Sequence, residues 1–386
     1  MTPKDRTEHS PRGSFMYENW RASIAGASSQ KGYEYPLFTD AEVIGEVVSG
    51  LGPHQILNCI AEKNRPTPTR AALALRIDVS DSLAPSSAID PSEYGRYHGG
   101  DDTDEVAALL SLCLGFRLKA GSATRLFDAQ RDPRGRPWTF SDRGLGDPAV
   151  TLSSHGATIP RLRLGADLTQ LPPLLFQFAS LTPPQSIDVI RAARLYQEAV
   201  WVAESEPWLT WLLFVAALEC GAQEWNRGRK VSPRERMRTA NPALEQLLVE
   251  HGNGELADRV ADHVAVGMKS TQKFLDFVMH FMPGPPAIRP PERFQLAWDP
   301  NVLRPAVSLI YSYRSGALHG GKPFPWPMSW QPRMFGVDYA ERTFASAGGR
   351  GGLWKPDEIP MMLHVFEHIT RNVLLAWWGS MTRSSS

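Results

Sequence analysis

Residues 307–321 read VSLIYSYRSGALHGG, and this stretch decides how the second half of the chain is built. Leu309, Ile310, Tyr313, Ala317 and Leu318 recur at helical spacing and can form one apolar face. The run stops at Gly320 and Gly321, which suit a helix C-cap because glycine takes the left-handed backbone without steric cost. His319 is therefore expected in the last helical turn, where the carbonyl end of the helix attracts positive charge. Arg314 lies five positions earlier, about 140° of rotation and 7.5 Å of rise away along a helix. Side chains so placed do not stack on each other; they flank a groove from two sides. Histidine changes its protonation near neutral pH, and an arginine guanidinium forks onto phosphate oxygens. Together they form the minimum set of groups for cleaving a phosphodiester without a metal.

Helical spacing continues on both sides of this stretch. Residues 186–204 (SIDVIRAARLYQEAVWVAE) place Ile187, Ile190, Leu195, Ala199 and Val202 close to one face. Pro207 opens a second helix running through Trp211, Leu218, Glu219 and Trp225. A third is expected over 243–249 and a fourth over 255–282, broken near Gly267. After the proline-rich loop 283–291 (PGPPAIRPP) comes the helix of 302–318, and a last one covers 356–378. No strand pattern interrupts them. The expectation for 186–380 is an all-α bundle.

The segment YSYRSGALHGG (311–321), set after WLLFVAALE (211–219) and before MMLHVFEHITRNVLLAWW (361–378), resembles HEPN domains, most closely the ApeA-like HEPN group. The resemblance covers residues 186–380 and implies a helical bundle that dimerises so that two Arg–His motifs face one cleft. Many such domains are metal-independent endoribonucleases in toxins, phage defence and RNA processing. Others have lost catalysis and serve as binding or dimerisation modules for RNA, nucleotide or protein. Carried onto this chain, the resemblance makes Arg314 and His319 the catalytic pair and Glu219 an acidic residue that orients them. Many active members carry Asn, Asp or His directly after the arginine; here the position is Ser315, a residue familiar in the ApeA-like group. The implied partners are RNA, a second copy of the chain, and a regulator or antitoxin.

The first half reads differently. Residues 1–32 are polar, mixed in charge and without apolar period, and are expected to be a flexible leader. Residues 33–181 read as an α+β domain of unknown role. Within it, 39–49 (TDAEVIGEVVS) is expected to be a short helix capped by Thr39 or Asp40. Residues 71–79 (AALALRIDV) read as a strand, and 101–118 as a helix with an acidic first turn that suits the positive helix N-terminus. Residues 132–137 form a turn by their Pro and Gly content, and 157–164 read as strand. The double prolines at 172–173 and 183–184 are taken as the boundary between the halves, since proline breaks helices and removes ladder donors.

Composition bounds the rest. The chain has 386 residues with 41 Lys+Arg against 41 Asp+Glu, so any nucleic-acid contact must come from a local patch rather than from net charge. The best patch is 227–238 (RGRKVSPRERMR), with Arg227, Arg229, Lys230, Arg234, Arg236 and Arg238 as candidate RNA-backbone contacts. A solvated loop leading into an arginine-rich helix accounts for the same residues. Three well-separated cysteines, Cys59, Cys113 and Cys220, form no pair with metal or disulfide spacing and suit a reducing cytoplasm. The acidic stretch from His98 to Glu105 can be read as a cluster for a hard cation, but a helix first turn explains it as well, and no metal or cofactor is expected. There is no P-loop and no Gly-x-Gly-x-x-Gly after a strand. No apolar window approaches the roughly 20 residues needed to span a bilayer, so no membrane contact is expected. Trp326 and Trp330, in KPFPWPMSWQP (322–332), can form an aromatic platform but more readily pin a long loop.

Overall fold

The computed structural model describes residues 13–59, 68–80, 97, 99–128, 147–153, 156–227 and 232–383. They comprise an α+β N-terminal region with an antiparallel sheet and a largely helical C-terminal half. They divide into two compact units: Met1–Leu213 together with Trp378–Ser386, and Phe214–Trp377.

In the first unit the sheet runs β3 (Val47–Leu51), β4 (His54–Asn58), β5 (Arg70–Ser80), β1 (Ser29–Thr39) and β6 (Lys119–Ala120), with β7 (Arg125–Asp128) also pairing β1. The register sets Tyr35 opposite Leu75 and Leu75 opposite Ile56. β5 is buried from Ala71 to Ile77, which explains why its sequence is almost continuously apolar. Its expected strand is present. The expected helix over 39–49 is not: that stretch forms β2 (Val43–Ile44), paired in parallel with β8 (Ala166–Asp167), and then β3. The reason is tertiary. Asp40 pairs with Arg117 instead of capping a helix, Thr39 Oγ1 accepts the Ala41 N–H at 3.0 Å, and Gly45 turns the chain with φ +78°. Residues 157–164 also depart from expectation, forming a 3-10 turn at Pro160–Arg163. The expected turn at 132–137 lies outside the described residues.

Part of the stretch expected to be a leader is helical: α1 (Phe15–Ile24) buries Met16, Tyr17 and Trp20. Those side chains sit at i, i+1 and i+4, too few for a period to stand out in a short polar segment. α2 (Asp102–Leu114) forms within the expected stretch 101–118 but ends four residues short of it. Asp101 caps it by accepting the Thr103 and Asp104 N–H groups, and Gly115 ends it at φ +71°. It is buried from Val106 to Cys113 and packs on α4 (Pro183–Val202).

The double prolines are helix starts. Pro172-Pro173 leads into the short α3 (Pro173–Phe176), and Pro183 and Pro184 occupy the first turn of α4 behind a Thr182–Gln185 capping box. A missing N–H removes nothing there, because the first helical N–H groups have no intrahelical acceptor. The whole of α4 lies in the first unit and packs on α2.

α5 (Pro207–Trp225) carries the chain into the second unit, followed by α6 (Pro233–Ala240), α7 (Pro242–His251), α8 (Gly254–His280) and α9 (Pro300–Gly320). α8 continues through Gly267 without the expected break. Between α9 and α10 (Leu363–Arg383) the chain makes two hairpins that the reading of a strand-free half did not anticipate: β9 (Met334–Phe335) with β10 (Asp338–Tyr339), and β11 (Ala347–Gly349) with β12 (Gly352–Trp354). Ladders this short leave no alternating signature. Rings hold the helices together: Phe277 of α8 meets Trp377 of α10 at 6.0 Å and Trp225 of α5 at 5.9 Å, and Phe274 of α8 meets Tyr311 of α9 at 4.8 Å. Among the described residues no helix is long and apolar enough to cross a membrane.

Candidate active site

α9 spans Pro300–Gly320, with Asp299 accepting the Asn301 N–H at its start. Its end is set by Gly321, whose φ of +62° is strained for any residue with a Cβ, and by the Lys322 N–H donating to the Gly316 carbonyl at 3.2 Å. His319 is in the last turn, as its position before two glycines predicts.

The buried face of α9 is Leu303, Ala306, Val307, Ile310 and Tyr311. It is rotated from the face read in the sequence: Leu309 and Tyr313 are half-buried, and Leu318 is 54% exposed. Continuing the true face by one turn reaches Arg314, which therefore points toward the bundle. There its Nη2 donates to Glu219 Oε2 on α5 at 2.6 Å. The Tyr311 hydroxyl donates to the other oxygen of the same carboxylate at 2.9 Å. The Arg314 guanidinium also lies 5.6 Å from the Tyr311 ring centroid.

Burial, and then the Glu219 hydrogen bond and charge, push the Tyr311 phenol up to about 12, against the pull of Arg314 and a hydrogen bond with Thr271. The phenol thus keeps its proton at neutral pH and remains a donor. Glu219 is held by two donors from one helix, a charge-assisted arrangement that fixes the rotamers of all three side chains. Glu219 occupies only Nη2 in the described contacts, so the other guanidinium donors stay available to an anion.

His319 lies about 140° around the helix from Arg314 by helical geometry. It is exposed, and none of the described hydrogen bonds or ion pairs involves it. Ser315 is half-buried beside Arg314 in sequence. The fold thus brings Arg314 and Glu219 together, while His319 stands free at the helix end. Tyr311 is the member that sequence reasoning missed. The available signal was its i−3 position relative to Arg314, which puts both on one helix face.

The basic stretch is only partly within the described residues. Arg229 and Lys230 lie outside them, and nothing is described of the Arg236 side chain. Arg234 pairs with Glu245 at 3.4 Å and Asp258 at 3.3 Å, so its charge is already answered by α7 and α8. Arg227 and Arg238 are exposed. In the acidic stretch, Asp101 is a helix cap and Asp102 accepts from buried His54 at 2.8 Å, while His98 lies outside the described residues. Among the described residues no three His, Cys, Asp or Glu side chains gather as a metal site would need.

Compared with protein-family models, with curated proteins and with solved structures, the chain finds no match.

Proposed function

We propose that the chain is a metal-independent endoribonuclease of the HEPN type, working as a cytoplasmic homodimer in phage defence or as a toxin. The observation that carries this reading is the Glu219–Arg314–Tyr311 set: an arginine locked in position with donors to spare, on the same helix as an exposed histidine. Because His319 and Arg314 point to different sides of α9, two copies facing each other give one phosphate both kinds of group. That arrangement also excludes water and strengthens each charge contact.

In the proposed reaction the His319 imidazole takes the proton from a ribose 2′-OH as that oxygen attacks the adjacent phosphorus. Arg314 stabilises the charge that builds on the phosphoryl oxygens. The bond from phosphorus to the 5′ oxygen breaks, and the second copy's imidazolium protonates the leaving oxygen. The products are a 2′,3′-cyclic phosphate and a 5′-hydroxyl. Arg227 and Arg238 are candidate backbone contacts for the flanking strand.

The test is cleavage of mixed RNA in EDTA. Wild type should cut, and His319→Ala and Arg314→Ala should each lose about 10²-fold or more in rate, the usual worth of a general base or an electrostatic stabiliser. Cutting that survives both changes removes the proposal.

A second reading draws on the same ion pair. With Glu219 holding one edge of Arg314, the set also suits a non-catalytic module that binds RNA, nucleotide or protein. RNA bound equally by wild type and His319→Ala, with no cleavage by either, would favour it.

A further inference from the structure

Within the second unit, the segment joining α9 to α10 folds around a cavity of about 500 Å³ that neither the proposed catalytic pair nor the basic stretch uses. That volume falls within the roughly 300–1,000 Å³ of pockets that take small organic ligands. Its walls are aromatic. Phe335 stacks flat on Phe294 at 3.7 Å, and Phe344 meets both edge-on at 6.3 and 5.2 Å. Trp326 and Trp330 also line it, with ring centroids 4.9 Å apart. Phe344 and Trp330 remain 61% and 38% exposed, so large ring surface is left open to water.

The wall around Trp326 is braced. Gly349 approaches its ring so closely that a Cβ there would lie 2.1 Å from Trp326 Cδ1. The next residue, Arg350, is the one non-glycine with positive φ among the described residues, at +45°, and its guanidinium sits 4.2 Å from the ring centroid. Strained backbone of this kind persists where surrounding contacts over-determine it. The β11–β12 hairpin is therefore pinned to Trp326, holding the aromatic wall in place.

The charge in the lining has one sign. Arg333 and Arg342 line the cavity, no carboxylate does, and neither arginine has an ion-pair partner among the described residues. Neighbouring Arg289, by contrast, is neutralised by Glu341 at 2.5 Å. The Thr343 hydroxyl, also in the lining, is buried and has no hydrogen-bond partner. Aromatic faces for a planar ring, two uncommitted guanidinium groups for an anion and a hydroxyl lacking a partner describe one class of ligand.

We propose that this cavity binds a nucleotide, with its base stacked against the Trp326–Trp330 or Phe335–Phe344 rings and its phosphate on Arg333 and Arg342. Base–aromatic stacking tolerates any base, so the site reads ring and phosphate rather than sequence. The inference does not rest on the ribonuclease reading: a chain that binds nucleotides here without cutting RNA keeps one and loses the other.

The ligand is either a free nucleotide or one unit of a single strand, and calorimetry on the full chain separates them. Nucleoside monophosphates, a short unstructured RNA with His319→Ala in place of wild type, inorganic phosphate and free nucleosides are titrated in turn. Expected is saturable binding of the monophosphates or the RNA, with phosphate and nucleosides at least tenfold weaker. Trp330→Ala and Arg342→Glu should each weaken it at least tenfold; both positions are exposed, and unchanged circular dichroism confirms that the variants fold. Tighter binding of the RNA assigns the pocket to a strand, and equal or tighter binding of the monophosphate assigns it to a free nucleotide. No binding of either at millimolar concentration, binding that both variants leave unchanged, or phosphate binding as tightly as nucleotide overturns the proposal.

Discussion

Arg117 offers the sharpest test of how the first unit is held together. Its side chain is fully buried, and it donates to Asp40 at 2.5 Å, to Glu204 at 2.9 Å and to the Val200 carbonyl at 2.7 Å. Asp40 and Glu204 are themselves 3% and 0% exposed, so neither carboxylate has water to fall back on. A second guanidinium, Arg163, also reaches both carboxylates but is 38% exposed. Arg117→Met fills much of the volume yet leaves two buried carboxylates answered by one partly solvated arginine. Breaking a buried pair from one side typically costs about 3–5 kcal/mol, because the stranded charge keeps its desolvation penalty. Arg163→Met, whose head is screened by solvent, should cost about 1 kcal/mol or less. With a urea slope of about 2 kcal/mol per molar, the first change moves the unfolding midpoint down by roughly 2 M and the second by at most about 0.5 M. Urea melts followed by circular dichroism at neutral pH measure both. Equal shifts for the two variants, or a loss below about 1 kcal/mol for Arg117→Met, would refute the reasoning.

The remaining predictions concern other parts of the chain. Stability of the first unit should fall as pH rises from about 5 to 8. His54 loses some basicity to burial, but the charge and hydrogen bond of Asp102 and the Leu51 carbonyl outweigh this and raise it above 6.5. Burial also pushes Glu105 up to about 8, despite the hydrogen bonds it accepts from Met16, Tyr97 and Phe15. Both groups hold protons in the folded state that the unfolded chain has released, so their contribution is full below their ordinary values and is lost as pH passes the folded ones. Thermal melts that rise with pH, or a slope that Glu105→Gln leaves unchanged, would contradict this. A fragment beginning at residue 186 lacks α2 and should bind a hydrophobic dye strongly, since the α4 face of Ile190, Ala193 and Tyr196 loses its cover. Glu219→Gln and Tyr311→Phe should each reduce RNA cleavage about tenfold, with substrate affinity less affected, by loosening Arg314; unchanged rates would show that the set does not position it. Light scattering at tens of micromolar should find a dimer, and a strict monomer with and without RNA would remove the two-copy cleft.

Elements whose signal is local could be read from the residues alone. α2 carries its own acidic first turn, β5 reads as a strand from its residues, and α9 stops at the two glycines that follow His319, although the stop of α2 at Gly115 was not read. Arg314 and His319 were nameable because the residue types and their helical spacing are written in order along the chain, whereas Glu219 was nameable only through the resemblance to HEPN domains. What sequence could not supply was set by partners far away. Residues 39–49 have helix-like spacing but become β2 and β3 because Arg117 takes Asp40 and residues 166–167 offer a strand to pair with. The prolines at 183–184 look like a break and are a helix start, since only the chain's path distinguishes an N–H that is missing from one that is not needed. The buried face of α9 is decided by what α5 and α8 present to it, which turns Arg314 inward and Leu318 outward. The aromatic cavity depends on a hairpin meeting a tryptophan more than twenty positions earlier, a contact that no local periodicity encodes.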